Sequence, residues 1–202
     1  MPPAHRNTAP DEKAQTNPEV RLRVLETASE LFYRLGVRAV GVDMIVAEAG
    51  VAKTSLYRHF RTKDDLIAAF LQREDEDFWR VWDEVAQSHG DNAEAELEAH
   101  MSWIGDRAGR PGYRGCPQIN VAAEFPDPAH PARAVARTHK EELRRRLTAI
   151  AERLGASRPQ ELGLQLAVLV NGAFVSTTLF SPENAVPTLL AMSRSLVTTA
   201  RI

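Results

Sequence analysis

Cysteine is nearly absent: Cys116 is the single one in 202 residues. An intrachain disulfide is therefore excluded, and a cysteine-based zinc site has too few ligands to build. Long apolar runs are missing too. The longest candidate, 162-LGLQLAVLVNGAFVSTTLF-180, is interrupted by Gln165 and Asn171, which argues against a membrane span. The first residues, MPPAHRNTAPDEKAQTNPE, are polar and proline-rich and contain no apolar core of a signal peptide. The expectation is a cytoplasmic protein. A net charge of only −2 argues against a generic binder of polyanions. No stretch alternates with the period of a strand, and no segment repeats. There is no HExxH, no nucleophile elbow and no phosphate loop, so no catalytic residue, metal site or cofactor is expected.

What is present is helical periodicity. Residues 1–17 suggest a disordered leader. Asn17 suits a helix N-cap and Pro18 a first turn, and Val20, Val24, Ala28, Leu31 and Leu35 then share one face. Gly36 ends this helix. Short helices follow at about 42–49 and 53–60, separated by Gly50-Val51-Ala52. A long helix begins at Lys63 or Asp64 and carries apolar residues to Val85. Further helices are expected from about 92 to 106, after Pro117, over 132–154, over 160–180 and over 186–200. Residues 105-GDRAGRPGYRGCP-117 suggest a loop. The fold class is all-α: a leader to residue 17, a three-helix unit over 18–63, and a larger helical body over 64–202.

Charge is unevenly placed. Between Gly50 and Lys63 there are four basic residues (Lys53, Arg58, Arg61, Lys63) and no acid; from Asp64 to Asp106 thirteen acids face two arginines. A small basic tip on an acidic body suits contact with an anion at one end. The tip contains 50-GVAKTSLYRHF-60. Gly50 can adopt the left-handed conformation of a tight turn between two helices. Ile45, Val51 and Leu56 supply a core, and Ala47 is small enough for a close helix crossing. Lys53, Thr54, Ser55, Tyr57, Arg58 and His59 are then donors on a second helix whose first turns can enter a major groove.

The segment 28-ASELFYRLGVRAVGVDMIVAEAGVAKTSLYRHFRTKDDLIAAFL-71 resembles the TetR family of bacterial transcriptional repressors, in the Gly36-to-Gly50 spacing, in 50-GVAKTSLYRHF-60 and in 63-KDDL-66. The resemblance implies a helix-turn-helix domain in which Lys53, Thr54, Ser55, Tyr57 and His59 meet double-stranded operator DNA, with Lys63 on a phosphate. Two positions depart from the pattern: Gly41 stands where the family usually has Ser or Thr before the second helix, and Ala52 where it often has a capping Ser. The segment 115-GCPQINVAAEF-125 is similar to one found in a subgroup of the family.

The resemblance further implies a homodimer and a ligand cavity in the body. Helices 160–180 and 186–200 carry apolar residues on more than one face, so the surplus is expected against a twin, with Gly163, Ala167 and Gly172 at the crossing. Aromatic residues concentrated in the body point to a small hydrophobic or aromatic effector, with Trp82, Trp103, Asn120, Phe125 and Asn171 nearest it. His100, Glu124 and His139 have no spacing that demands a metal or catalytic set, and 144-RRR-146, with Glu141 and Glu142 nearby, suggests a solvated face with local ion pairs. Cys116 is expected to be structural. The competing reading is a helical small-molecule-binding protein or enzyme with a vestigial DNA-binding head.

Overall fold

The computed structural model describes residues 17–176, 179 and 182–201. The expected leader, residues 1–16, lies outside the described residues, as do 177, 178 and 180 at the end of the expected helix 160–180. The described residues form α1 (Pro18–Leu35), α2 (Val42–Ala49), α3 (Lys53–His59), α4 (Lys63–Gln87), α5 (Ala93–Ala108), α6 (Pro117–Glu124), α7 (Pro131–Arg153), α8 (Pro159–Ser176) and α9 (Ala185–Ala200), with no strand among them.

Local chemistry sets the first boundaries. The Asn17 side chain accepts from Glu19 N–H at 3.0 Å and opens α1, with Pro18 in the first turn. Gly36 closes it with φ of 89°, its N–H bonded to Phe32 O at 2.9 Å. Thr62 and Asp65 form a reciprocal capping box at the start of α4, each bond 3.0 Å.

Two cores result, and α4 belongs to both. Val24, Ala28, Phe32, Ile45 and Leu56 pack with Leu66, Ile67, Phe70 and Leu71 from the first half of α4. Phe78 and Trp82, from its second half, pack with α5, α7, α8 and α9. The division expected at Lys63 thus falls at the head of a helix whose next residues complete the N-terminal core. Val37 and Val40, in the α1–α2 loop, are fully buried, whereas Leu35 is 43% exposed and leaves the face expected of it. Leu35 sits at the last turn, where the chain departs toward Gly36.

α5 runs to Ala108, beyond the loop start expected at Gly105. Gly105 lies inside this helix, and α9 approaches it so closely that a Cβ there would lie 2.8 Å from Val186 Cα. α8 carries two apolar stripes at helical spacing. Leu162, Leu166, Val170 and Phe174 are buried in the protomer's own core, while Leu164, Val168 and Val175 are exposed. The expectation that Gly163 and Ala167 serve a twin is corrected here. Ala167 is buried, and Gly163 packs against Thr148 of α7, so both act within the protomer. Only Gly172 of the three faces open space.

Candidate nucleic-acid interface and effector region

The turn between α2 and α3 is fixed by backbone conformation. Gly50 has φ 62° and ψ 39°, and its N–H bonds Ala47 O at 3.3 Å. No atom lies within 4 Å of a Cβ built there, so the left-handed backbone, not crowding, requires glycine. Val51 N–H bonds Val46 O at 3.1 Å and tightens the turn. Ala47 is exposed and makes no helix crossing; the small buried residue of α2 is Ala49. Gly41 and Ala52 both occupy N-cap positions without a side-chain bond, as their lack of a hydroxyl dictates.

α3 is anchored by Leu56, which is fully buried, and by Phe60 just beyond it. Its other faces are open. Lys53, Thr54, Tyr57 and Arg58 are exposed, and Ser55 and His59 are half-buried. Lys53 Nζ is 2.7 Å from Asp43 Oδ1 on α2, and this carboxylate raises the lysine's pKa. Both groups are solvated, so the pair is worth little and can exchange for a phosphate. Lys63 opens α4 half-buried; burial lowers its pKa while Asp64 and Glu124 oppose that.

The head is tied to the body by a latch that sequence reading missed. The Glu124 carboxylate, at the end of α6, accepts from Val37 N–H at 3.1 Å and Arg38 N–H at 2.8 Å. Arg38 returns a bond to Glu124 O at 3.2 Å. Gly36 faces the same carboxylate, which would lie 3.1 Å from a Cβ. Tyr33 OH receives Arg114 N–H at 2.9 Å. A glutamate late in a short helix gives no sequence signal of such a long-range role.

Of the five residues expected around an effector, Trp82 and Trp103 meet, with ring centroids 6.4 Å apart, and the five do not converge on one cavity. Trp82 is buried in the body core and stacks on His100 with ring centroids 3.7 Å apart. Trp103 packs on Phe78 at 4.9 Å. Phe125 belongs to the N-terminal core and stacks on His130 at 3.7 Å. Asn171 accepts from Lys140 Nζ at 2.8 Å. Asn120 is exposed, donates to Arg114 O at 2.8 Å and borders a cleft of about 480 Å³ between α1 and α6. A small cavity in the body, bordered by Phe78, Tyr113, Gln118, His139 and Phe174, is lined by none of the five.

Buried charge is handled locally. Glu96 is ion-paired with Arg153, and burial lowers His100 to a pKa of about 3. Arg144 and Arg145 are exposed and Glu142 pairs with Arg145 and Arg146, as a solvated face with local ion pairs requires; Arg146 alone goes further, pairing with Asp83 and lying over the Trp79 ring at 4.5 Å. Cys116 is buried at the N-cap of α6, with Lys140 Nζ 3.4 Å from its sulfur. Among the described residues no group of three or more His, Cys, Asp or Glu is placed to hold a metal ion.

A three-helix head with a solvent-facing donor-rich α3, joined to an all-helical body, defines a helix-turn-helix regulator. Residues 24–70 match the model of bacterial regulatory proteins of the tetR family. The whole chain is similar to SCO4454, a TetR-family transcriptional regulator from Streptomyces coelicolor, with 33% identity, a TM-score of 0.86, and 93% of this chain and 98% of that one covered. A TetR-type regulator of Streptomyces avermitilis shows 32% identity and a TM-score of 0.78, over 91% and 98% of the two chains. The activator FasR of Mycolicibacterium smegmatis is 47% identical over 55 residues, which is 27% of this chain and only 25% of that protein. The chain belongs to the TetR family and is a DNA-binding transcriptional regulator. No helix among the described residues is long and apolar enough to cross a membrane.

Proposed function

We propose that the protein is a homodimeric, cytoplasmic repressor that binds a near-palindromic operator and leaves it when a small molecule enters the body. The observation that carries this reading is α3. It is seven residues long, held by one buried leucine, and turns nearly every other side chain to solvent as a hydrogen-bond donor. In this reading Thr54 and Ser55 reach base edges, Lys53, Arg58 and Lys63 meet phosphates, and Tyr57 and His59 line the groove wall. The two heads of a dimer would occupy half-sites about 34–36 Å apart.

The dimer is supported by the outer stripe of α8. Val168 is 63% exposed and Met192 of α9 is 49% exposed. With Leu169, Gly172 and Thr188 they border a shallow apolar groove of about 370 Å³. Such a surface is costly to leave in water and suits a second copy by two-fold symmetry. The effector would act by favouring a head spacing that no longer fits the operator, and DNA would weaken effector binding by the same free energy.

Gel retardation on the DNA upstream of its own gene, with light scattering of the free protein, tests the reading. Retardation by a dimer, with transcription rising when the gene is deleted, is the expected result. Transcription that falls on deletion would instead make the protein an activator, as FasR is named.

A further inference from the structure

The body holds a small, partly open cavity of about 10 Å³, room for a single hydroxyl-sized group. Two acceptors on its wall lack donors. Gln118 is 2% exposed, and its Nε2 donates to Leu71 O at 2.9 Å, which fixes the amide and leaves Oε1 without a partner. His139 is also 2% exposed. Its Nδ1–H donates to Asp75 Oδ1 at 2.6 Å, which sets the tautomer and leaves the Nε2 lone pair without a donor. Burial lowers the His139 pKa, against the opposing pull of Asp75, and so favours the neutral ring. Phe78 and Phe174, with centroids 6.3 Å apart, supply aromatic walls.

A route inward is also present. An outer cleft of about 260 Å³ shares Glu74, Arg107 and Tyr113 with the inner cavity. Tyr113 therefore stands between the two spaces, beside the Arg107–Glu74 pair at 3.6 Å. Its hydroxyl has no partner, and burial pushes its pKa up, so it stays a neutral phenol. It lies on the α5–α6 loop between Gly112 and Gly115, whose φ values are 77° and 97°. No protein group holds the Tyr113 hydroxyl, so outward rotation of its ring would break no hydrogen bond, at the cost of its packing near Phe174, and would vacate space the size of one ring.

We propose that this cavity, opened by Tyr113, is the effector site and takes a small phenol, whose hydroxyl donates to His139 Nε2 or Gln118 Oε1. The assignment rests on the reading of the protein as effector-responsive. It selects a donor: an ether or ketone of the same size leaves both acceptors bare, and a carboxylate brings no donor to them while Arg107, the cation on the wall, is already paired with Glu74. It also links the site to the head, because Gln118 holds Leu71 of the N-terminal core and α6 ends in the Glu124 latch.

The test uses full-length protein and three probes: phenol, anisole and benzoate. Calorimetry without DNA is expected to show phenol binding about tenfold or more tighter than either of the others. His139→Phe, confirmed folded by circular dichroism, is expected to lose that preference. The preference of the wild-type protein needs no variant, so a misfolded mutant does not rescue the idea. Equal binding of phenol and anisole, or no binding of phenol, overturns the site. Operator titrations at saturating phenol separate the two claims. Selective binding without a change in operator affinity leaves a phenol site and refutes its role as the effector site.

Discussion

Gly163 is a glycine in the middle of a helix, where alanine ordinarily stabilises by about 0.8–1.0 kcal/mol. The structure reverses that sign. A Cβ at position 163 would lie 2.2 Å from Thr148 Oγ1 and 2.8 Å from both Thr148 Cα and N. The hydroxyl cannot simply rotate away without loss, because it donates to Arg144 O at 2.8 Å. The backbone atoms move only if α7 moves, and α7 and α8 share the most extensive interhelical contact among the described residues. Forcing a methyl into such a contact costs roughly 1–3 kcal/mol. Set against the propensity gain, Gly163→Ala should destabilise by about 0–2 kcal/mol, which lowers Tm by up to roughly 8 °C for a chain of this size. The assay is thermal unfolding at one fixed protein concentration, since dimerisation makes Tm depend on concentration. A Tm raised by roughly 2–4 °C would mean that propensity governs the site and that the helices are not in this contact.

Acid should destabilise the protein through His100, whose pKa is about 3 in the fold against 6.5 unfolded. Protons then bind preferentially to the unfolded chain between those values, so stability present above 6.5 falls as pH drops, by about 2 kcal/mol at pH ~5. Denaturant titrations of the wild type and His100→Gln check this, and a slope unchanged by the substitution refutes it. Val168→Glu, on the outer stripe of α8, should give a folded monomer with weakened operator binding by light scattering and gel retardation; a stable dimer would place the interface elsewhere. Glu124→Ala removes a charged acceptor from two backbone donors and should cost roughly 1–3 kcal/mol locally. Hydrogen exchange should then quicken at Val37 and Arg38 while mid-α1 amides stay protected, and unchanged exchange at both would deny the latch.

The N-terminal unit was legible because its signals are local. Asn17, Gly36 and Gly50 each act on their own backbone, and Leu56 is buried by helical spacing alone. The Thr62–Asp65 box is equally readable as Thr-x-x-Asp ahead of an apolar run. The body was less legible. α8 has two apolar stripes, and sequence does not say which one the protomer keeps. Gly163 and Gly172 are the same letter, yet one is pressed against α7 and the other is open. Trp82 and Phe125 suggested a pocket because apolar periodicity marks burial without separating packed core from cavity. The wall formed by Gln118 and His139 joins two helices, and its bare acceptors appear only once their other atoms have found Leu71 and Asp75.

The central claim is that α3 reads DNA, and a binding titration on two duplexes tests it most directly. Wild type, Lys53→Ala and Ser55→Ala are measured on the upstream operator and on a scrambled duplex at two salt concentrations. Lys53→Ala should weaken both duplexes alike and reduce the slope of log affinity against log salt by about one. Ser55→Ala should cost roughly 1–3 kcal/mol on the operator and little on the scrambled DNA. Wild-type affinity retained by both variants on both duplexes would contradict the account.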